Sequence, residues 1–179
     1  MRFAFFEAMS SEEAERFLEE FLRTEREALP PMIVAAQAEN VACDFRLSSI
    51  RPFYGWILGQ LRTHPRAEDA SLPEWIRLTP SYKGGLFDFD ELSRNLILRS
   101  AYYLGESFVR SSARLRWAAG RADTAVQRQP VVTGFDSSLE MAPILVSENL
   151  FRRIVADGAT LAAVDQAVAT WGRDIPQGS

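Results

Sequence analysis

The first regular pattern along the chain is Phe17, Leu18, Phe21 and Leu22, which recur at the spacing of a helix face. Ser10 or Ser11 stands just ahead of it, with Glu12 and Glu13 behind. A small capping residue followed by acids favours a helix N-terminus. Glu12, Glu13, Glu15, Glu19, Glu20, Glu25 and Glu27 fill most other positions, with Arg16, Arg23 and Arg26 among them. Glu12–Arg16 and Glu19–Arg23 have the favourable i,i+4 order. The pattern predicts an acidic helix over about 10–29, ended or bent at Pro30-Pro31. Arg2–Phe6 reads as a strand or an apolar plug. Met32–Ala38 fits helix and strand equally, and Asp44–Ser48 reads as a short extended piece.

A second apolar stripe, Ile50, Phe53, Trp56, Ile57 and Leu61, predicts a helix over about 50–63, capped by Ser48 or Ser49 and stopped at Pro65. Pro52 suits its first turn, where a missing N–H costs nothing. Residues 66–80 read as a connection, with Trp75 and Ile76 as anchors, and 82–86 as a turn. The strongest helical pattern follows. Leu92, Leu96, Ile97, Ala101, Leu104, Phe108 and Val109 form a broad apolar face over 91–110, with Asp90 as N-cap.

Leu115–Ala118 alternates as a strand does, and 124–133 reads as its hairpin partner, Pro130 marking an edge or bulge. Residues 142–156 predict a helix starting near Pro143 or Ser147 and ending at Gly158. Leu161, Val164, Val168 and Trp171 predict a last helix over 160–171. Residues 174–179 read as a frayed tail. The sum is an α+β domain spanning 1–179, mostly helical, with one short antiparallel sheet after a long central helix.

The chain has 179 residues, 47% of them hydrophobic and 25% charged, enough for a core without a disulfide or metal staple. Cys43 is the only cysteine, which suits a reducing compartment and excludes an internal disulfide. No secretory leader pattern and no apolar run of membrane length appear, so a cytoplasmic location is expected. The net charge of −4 argues against nucleic acid as a partner. Lys83 is the only lysine among the cations, so arginine carries the positive charge.

The motifs of conventional catalysis are missing. The chain has no phosphate-binding glycine loop, no dinucleotide fingerprint and no nucleophile elbow. His64 is the only histidine, and no histidine–cysteine set exists for zinc. No catalytic residue, metal ligand or cofactor is assigned. Asp88, Asp90, Glu91 and Glu106, with Arg99 or Arg110, form the acid set of an alternative reading, a carboxylate-dependent or metal-using hydrolase. A third reading is a structural subunit that self-associates through the last helix.

The central helix carries the best candidate surface. Arg99, Tyr103, Glu106 and Arg110 lie three or four residues apart and can share a flank, with Tyr102 beside them. Trp117 follows at the start of the hairpin. Gly105 in mid-helix costs ~1 kcal/mol against alanine, which points to close approach by another element. We therefore take Arg99, Tyr103, Glu106, Arg110 and Trp117 as candidate binding residues.

Residues 89–155, with Tyr103-Leu104-Gly105-Glu106, Trp117 and Gln129-Pro130-Val131-Val132, resemble a family of small bacterial α+β domains of unknown function. Ser48–Leu61 followed by Pro73-Glu74-Trp75 is similar to the preceding half of that pattern. Ser111–Arg114 departs from it, standing where the family has glycines. Some such domains resemble immunity proteins, which neutralise a bacterial toxin by binding it. The resemblance implies a non-catalytic, protein-binding role with a toxin-like partner.

Overall fold

The computed structural model describes residues 6, 8–77, 86–124 and 126–176. The readings made for 2–5 and 82–85 lie outside them. The chain is a mostly helical α+β fold with two small antiparallel sheets. In chain order the elements among the described residues are α1 (Ser11–Ala38), α2 (Leu47–Leu58), β1 (Thr63–Pro65), α3 (Glu74–Arg77), β2 (Phe87–Phe89), α4 (Glu91–Ser111), β3 (Arg116–Ala119), β4 (Pro130–Thr133), α5 (Pro143–Asp157) and α6 (Ala162–Gly172).

The helix starts follow the capping signals. The Glu13 N–H donates to Ser10 Oγ at 3.2 Å, and Glu13 Oε2 accepts from the Ser10 N–H at 2.7 Å, a closed capping box. Asp90 Oδ1 accepts from the Ser93 N–H at 2.7 Å. Pro143 opens α5, and Gly158 follows it at φ 62°, the left-handed conformation glycine adopts without Cβ strain.

The bounds of three elements differ from expectation. α1 does not end at Pro30-Pro31 but runs on to Ala38, which resolves 32–38 as helix. Both prolines face solvent, so the carbonyls of Arg26 and Glu27, which lose their donors, are left to water. Leu29, Met32 and Ala36 on the opposite face stay buried and hold the helix in register. α2 starts a turn early, at Leu47, and stops at Leu58. Residues 63–65 are instead a strand pairing antiparallel with β2, so the described residues hold two ribbons where one was expected. β4 begins at Pro130 rather than at 124. Pro130 sits opposite Ala119 at the end of the β3–β4 ladder, where a missing donor is tolerated.

The surface ion pairs also shift. Arg23 pairs with Glu20 at 2.6 Å and with Glu27 at 3.4 Å, rather than with Glu19. The tail is tied down as far as Asp174, whose carbonyl accepts from the Asp136 N–H at 2.9 Å and whose carboxylate accepts from Ser137 Oγ at 3.1 Å.

α4 lies at the centre of the core. Ala101, Tyr103, Leu104 and Phe108 are buried on it, against Ile50, Phe53 and Ile57 of α2 and Phe151 of α5. Two buried tyrosine hydroxyls tie these helices together. Tyr54 of α2 donates to the Ser100 carbonyl of α4 at 3.2 Å and meets Ser147 Oγ of α5 at 2.6 Å. Since its proton goes to the carbonyl, Ser147 is the donor of the short bond. Full burial pushes the Tyr54 phenol far above its ordinary value, so it stays neutral. No helix among the described residues is long and apolar enough to cross a membrane.

Candidate functional site

The pitch of α4 places the candidate residues along one side of the helix, but at different depths. Tyr103 is fully buried. Its oxygen accepts from the Phe45 N–H at 3.1 Å and lies 2.6 Å from Ser49 Oγ. Ser49 Oγ donates to the Arg46 carbonyl at 2.7 Å, so its proton is used and Tyr103 must be the donor to Ser49. Burial raises the phenol above its ordinary value, with the Ser49 and Phe45 hydrogen bonds opposing.

Phe45 links this buried tyrosine to the surface. Its ring stacks on Tyr103 with centroids 4.7 Å apart, and the Arg110 guanidinium lies 3.8 Å above its other face. Such a cation–π contact contributes ~0.5–1 kcal/mol at an exposed site. Phe45 holds φ 61°, a conformation that costs a bulky residue on the order of 1–3 kcal/mol. The stack and the bond to Tyr103 offset that cost. Residues 44–45 were expected to be extended; the left-handed turn at Phe45 corrects that.

Glu106 joins the other two members. Its Oε1 accepts from Arg110 Nε at 2.9 Å, and its Oε2 accepts from Trp117 Nε1 at 3.4 Å. Trp117 stacks parallel to Tyr102, centroids 6.0 Å apart, with Phe21 of α1 edge-on to both. Gly105 makes the notch: a Cβ there would stand 2.2 Å from two Trp117 ring atoms. Tyr103, Glu106, Arg110 and Trp117 are thus one connected set, with only the Arg110 end well exposed.

Arg99 stands apart, half-buried a turn nearer the N-terminus of α4. Its charge acts on Glu25 of α1, which is only 8% exposed and whose Oε2 has no hydrogen-bond partner. Desolvation raises the Glu25 carboxyl above its usual range, and Arg99 pulls it back part-way. Glu25 belongs by sequence to the acidic series outside the apolar positions Phe17, Leu18, Phe21 and Leu22. Its spacing from Phe21 and Leu29, four residues each way, places it on the buried face and was the available signal.

The acids of the hydrolase reading do not converge. Asp90 is spent as a helix cap, and Glu106 lies sixteen positions along α4, roughly 24 Å away. Among the described residues no group of three or more His, Cys, Asp or Glu is arranged to hold a metal ion. Cys43 is buried, with its thiol raised by desolvation and then by Asp44.

A cavity of about 240 Å3 lies between β2, α4 and α5. Ile97, Leu98 and Ile144 form its aliphatic wall, with Phe89 at the side. Its charged members are Asp88, Arg94, Glu148 and Arg152. Arg152 Nε donates to Glu148 Oε1 at 3.1 Å, and its guanidinium stands 5.5 Å from the rings of both Phe87 and Phe89. Of these, Asp88 is among the candidate acids of the sequence. Glu148 and Arg152 stand four residues apart in the sequence, the spacing of an ion pair on one helix face.

The chain matches no family model, no curated protein and no solved structure.

Proposed function

We propose that the chain is a non-catalytic binding domain whose partner is a basic protein. The observation that carries this is the charge of α1. It holds seven glutamates against three arginines, four net negative charges, the same as the chain's whole net charge of −4. Six of those glutamates face solvent. Glu12, Glu15 and Glu19 share one side of the helix at offsets of three and four. Among the described residues none of the three makes an ion pair. An unpaired acidic row of this kind raises association rate and selects against acidic partners.

The family resemblance adds a partner class. A toxin-like basic protein, neutralised by an immunity-type inhibitor in the cytoplasm, fits the acidic row. The Arg110 end of the α4 set supplies a second contact point, with Glu106 and Trp117 holding it in place.

Affinity capture from native cells with the tagged chain tests the reading. The expected result is one stoichiometric basic protein that is released by salt and not retained by the E12K/E15K/E19K variant. All three positions are exposed, so the variant is expected to fold. Capture of nothing, or of a partner indifferent to the triple reversal, overturns the reading.

A further inference from the structure

The cavity between β2, α4 and α5 has a charge arrangement that a structural role does not use up. Both of its acids are already matched. Glu148 is bonded to Arg152 at 3.1 Å, and Asp88 lies between Arg152 at 3.8 Å and Arg66 at 4.0 Å. Arg94 is different. Its Nε donates to the Phe89 carbonyl at 2.8 Å, which fixes the guanidinium at the cavity mouth. Its two terminal nitrogens have no acceptor among the described residues. Counting Arg66, three arginines face two carboxylates, and the surplus positive charge is that of Arg94.

Behind that charge the wall is aliphatic. Ile97 and Ile144 are 5% and 4% exposed, and Leu98 is half-buried beside them. A bare inorganic anion would leave this wall in contact with water. A purely apolar ligand would lie beside the Arg94 guanidinium without meeting its donors. The ligand that uses both features has one negative end and an apolar body. A planar carboxylate matches the two parallel N–H donors of a guanidinium edge. The volume of about 240 Å3 holds on the order of eight non-hydrogen atoms at a water's share of space, ~30 Å3.

We propose that this cavity binds a small carboxylic acid with an apolar body, the carboxylate on the terminal nitrogens of Arg94 and the body against Ile97, Leu98 and Ile144. The Arg152–Glu148–Asp88 network is then the rigid side of the site, held over the Phe87 and Phe89 rings, and does not bind the carboxylate itself. The site is separate from the acidic row of α1 and stands or falls independently of it.

Hexanoate, which has eight non-hydrogen atoms, is the probe, titrated into the full chain by isothermal calorimetry beside 1-hexanol and hexylamine. Hexanoate is expected to bind at least about tenfold more tightly than either, one charge-assisted contact being worth that much. Arg94→Gln is expected to remove that advantage while leaving the melting temperature in place, since the side chain is exposed and the Gln amide can donate to the Phe89 carbonyl in place of Nε. Ile144→Trp is expected to fill the cavity and abolish binding of both hexanoate and hexanol. Equal binding of hexanoate and hexanol, unchanged hexanoate binding by Arg94→Gln, or no saturable hexanoate binding each overturns the proposal.

Discussion

Gly105 and Glu25 are two positions where the ordinary preference of the residue is overridden by its neighbours. Alanine at 105 would gain ~1 kcal/mol of helix propensity. Its Cβ would also stand 2.2 Å from Trp117 and 3.0 Å from Pro143. The Trp117 ring cannot retreat freely, because Tyr102, Phe21 and Glu106 hold it on three sides. Overpacking of this kind costs ~1–3 kcal/mol and exceeds the propensity gain. Gly105→Ala is expected to lower the melting temperature and to change the tryptophan near-UV circular dichroism. An unchanged melting temperature would mean that the ring moves aside. Glu25 gives a prediction with a pH sign. Its carboxyl is raised in the folded chain by burial, so the unfolded chain gives up the proton more readily. The stability that goes with the protonated form is complete below the ordinary glutamate value of 4.5 and is lost as pH rises through the folded value. Glu25→Met, which keeps the length and drops the charge, is expected to be more stable than the parent by about 1–2 kcal/mol at neutral pH. The gap should close as pH falls below 4.5. Urea unfolding at the two pH values decides it, and a gap that widens in acid contradicts it.

α1 shows how far a helix can outrun its local sequence. Two adjacent prolines remove two backbone donors, yet the helix continues for seven residues beyond them to Ala38. Burial of Leu29, Met32 and Ala36 against the core outweighs that loss, and the orphaned carbonyls face water. Pro30→Ala with Pro31→Ala restores both i→i−4 bonds and relieves the ring clash. The cost is a more flexible unfolded chain, ~0.4–1 kcal/mol per residue, set against ~3 kcal/mol per proline in a helix interior. The double variant is expected to be more stable by at least about 1 kcal/mol in denaturant unfolding. Equal or lower stability would mean that the prolines set a bend the core needs. The same contrast separates what could be read from the sequence from what could not. α4, its Asp90 cap, α5 and α6 were legible because their periodicity and punctuation are local. The Glu106–Arg110 pair was legible for the same reason, being four residues apart. Phe45 was not, because its bond to Tyr103 spans 58 positions and its left-handed backbone carries no glycine signal. The β1–β2 ribbon was missed because three exposed residues ending in proline give no alternation to read. The cavity combines side chains from β2, α4 and α5, and only the packing of those elements brings them together.

How the elements close on one another bears on whether the chain associates with itself. The apolar face of α6 was a candidate for self-association, but it is already covered. Val164 is fully buried, and Leu161, Val168 and Trp171 pack onto the core. Gly55 of α2 leaves room for Leu161, and Arg51 of α2 clamps Asp165 at 2.7 Å. Trp171 meets Phe135 with centroids 5.3 Å apart. Among the described residues, the large apolar side chains that do face solvent are Val34, Trp75, Leu92, Leu139 and Val155, each on a different element or loop. A stable homodimer buries ~800 Å2 on each partner around a continuous apolar centre, and single exposed side chains do not supply one. The acidic row of α1 adds repulsion between like surfaces wherever two copies meet through that helix. The chain is therefore expected to sediment as one species of 20.2 kDa at all concentrations and salts. High salt is the sharper condition, because it screens α1 and leaves any apolar attraction in place. A dimer that appears only at high salt would show that charge, not the lack of an apolar face, keeps copies apart. A dimer at low salt that Val168→Glu abolishes would mean that α6 leaves the core to pair.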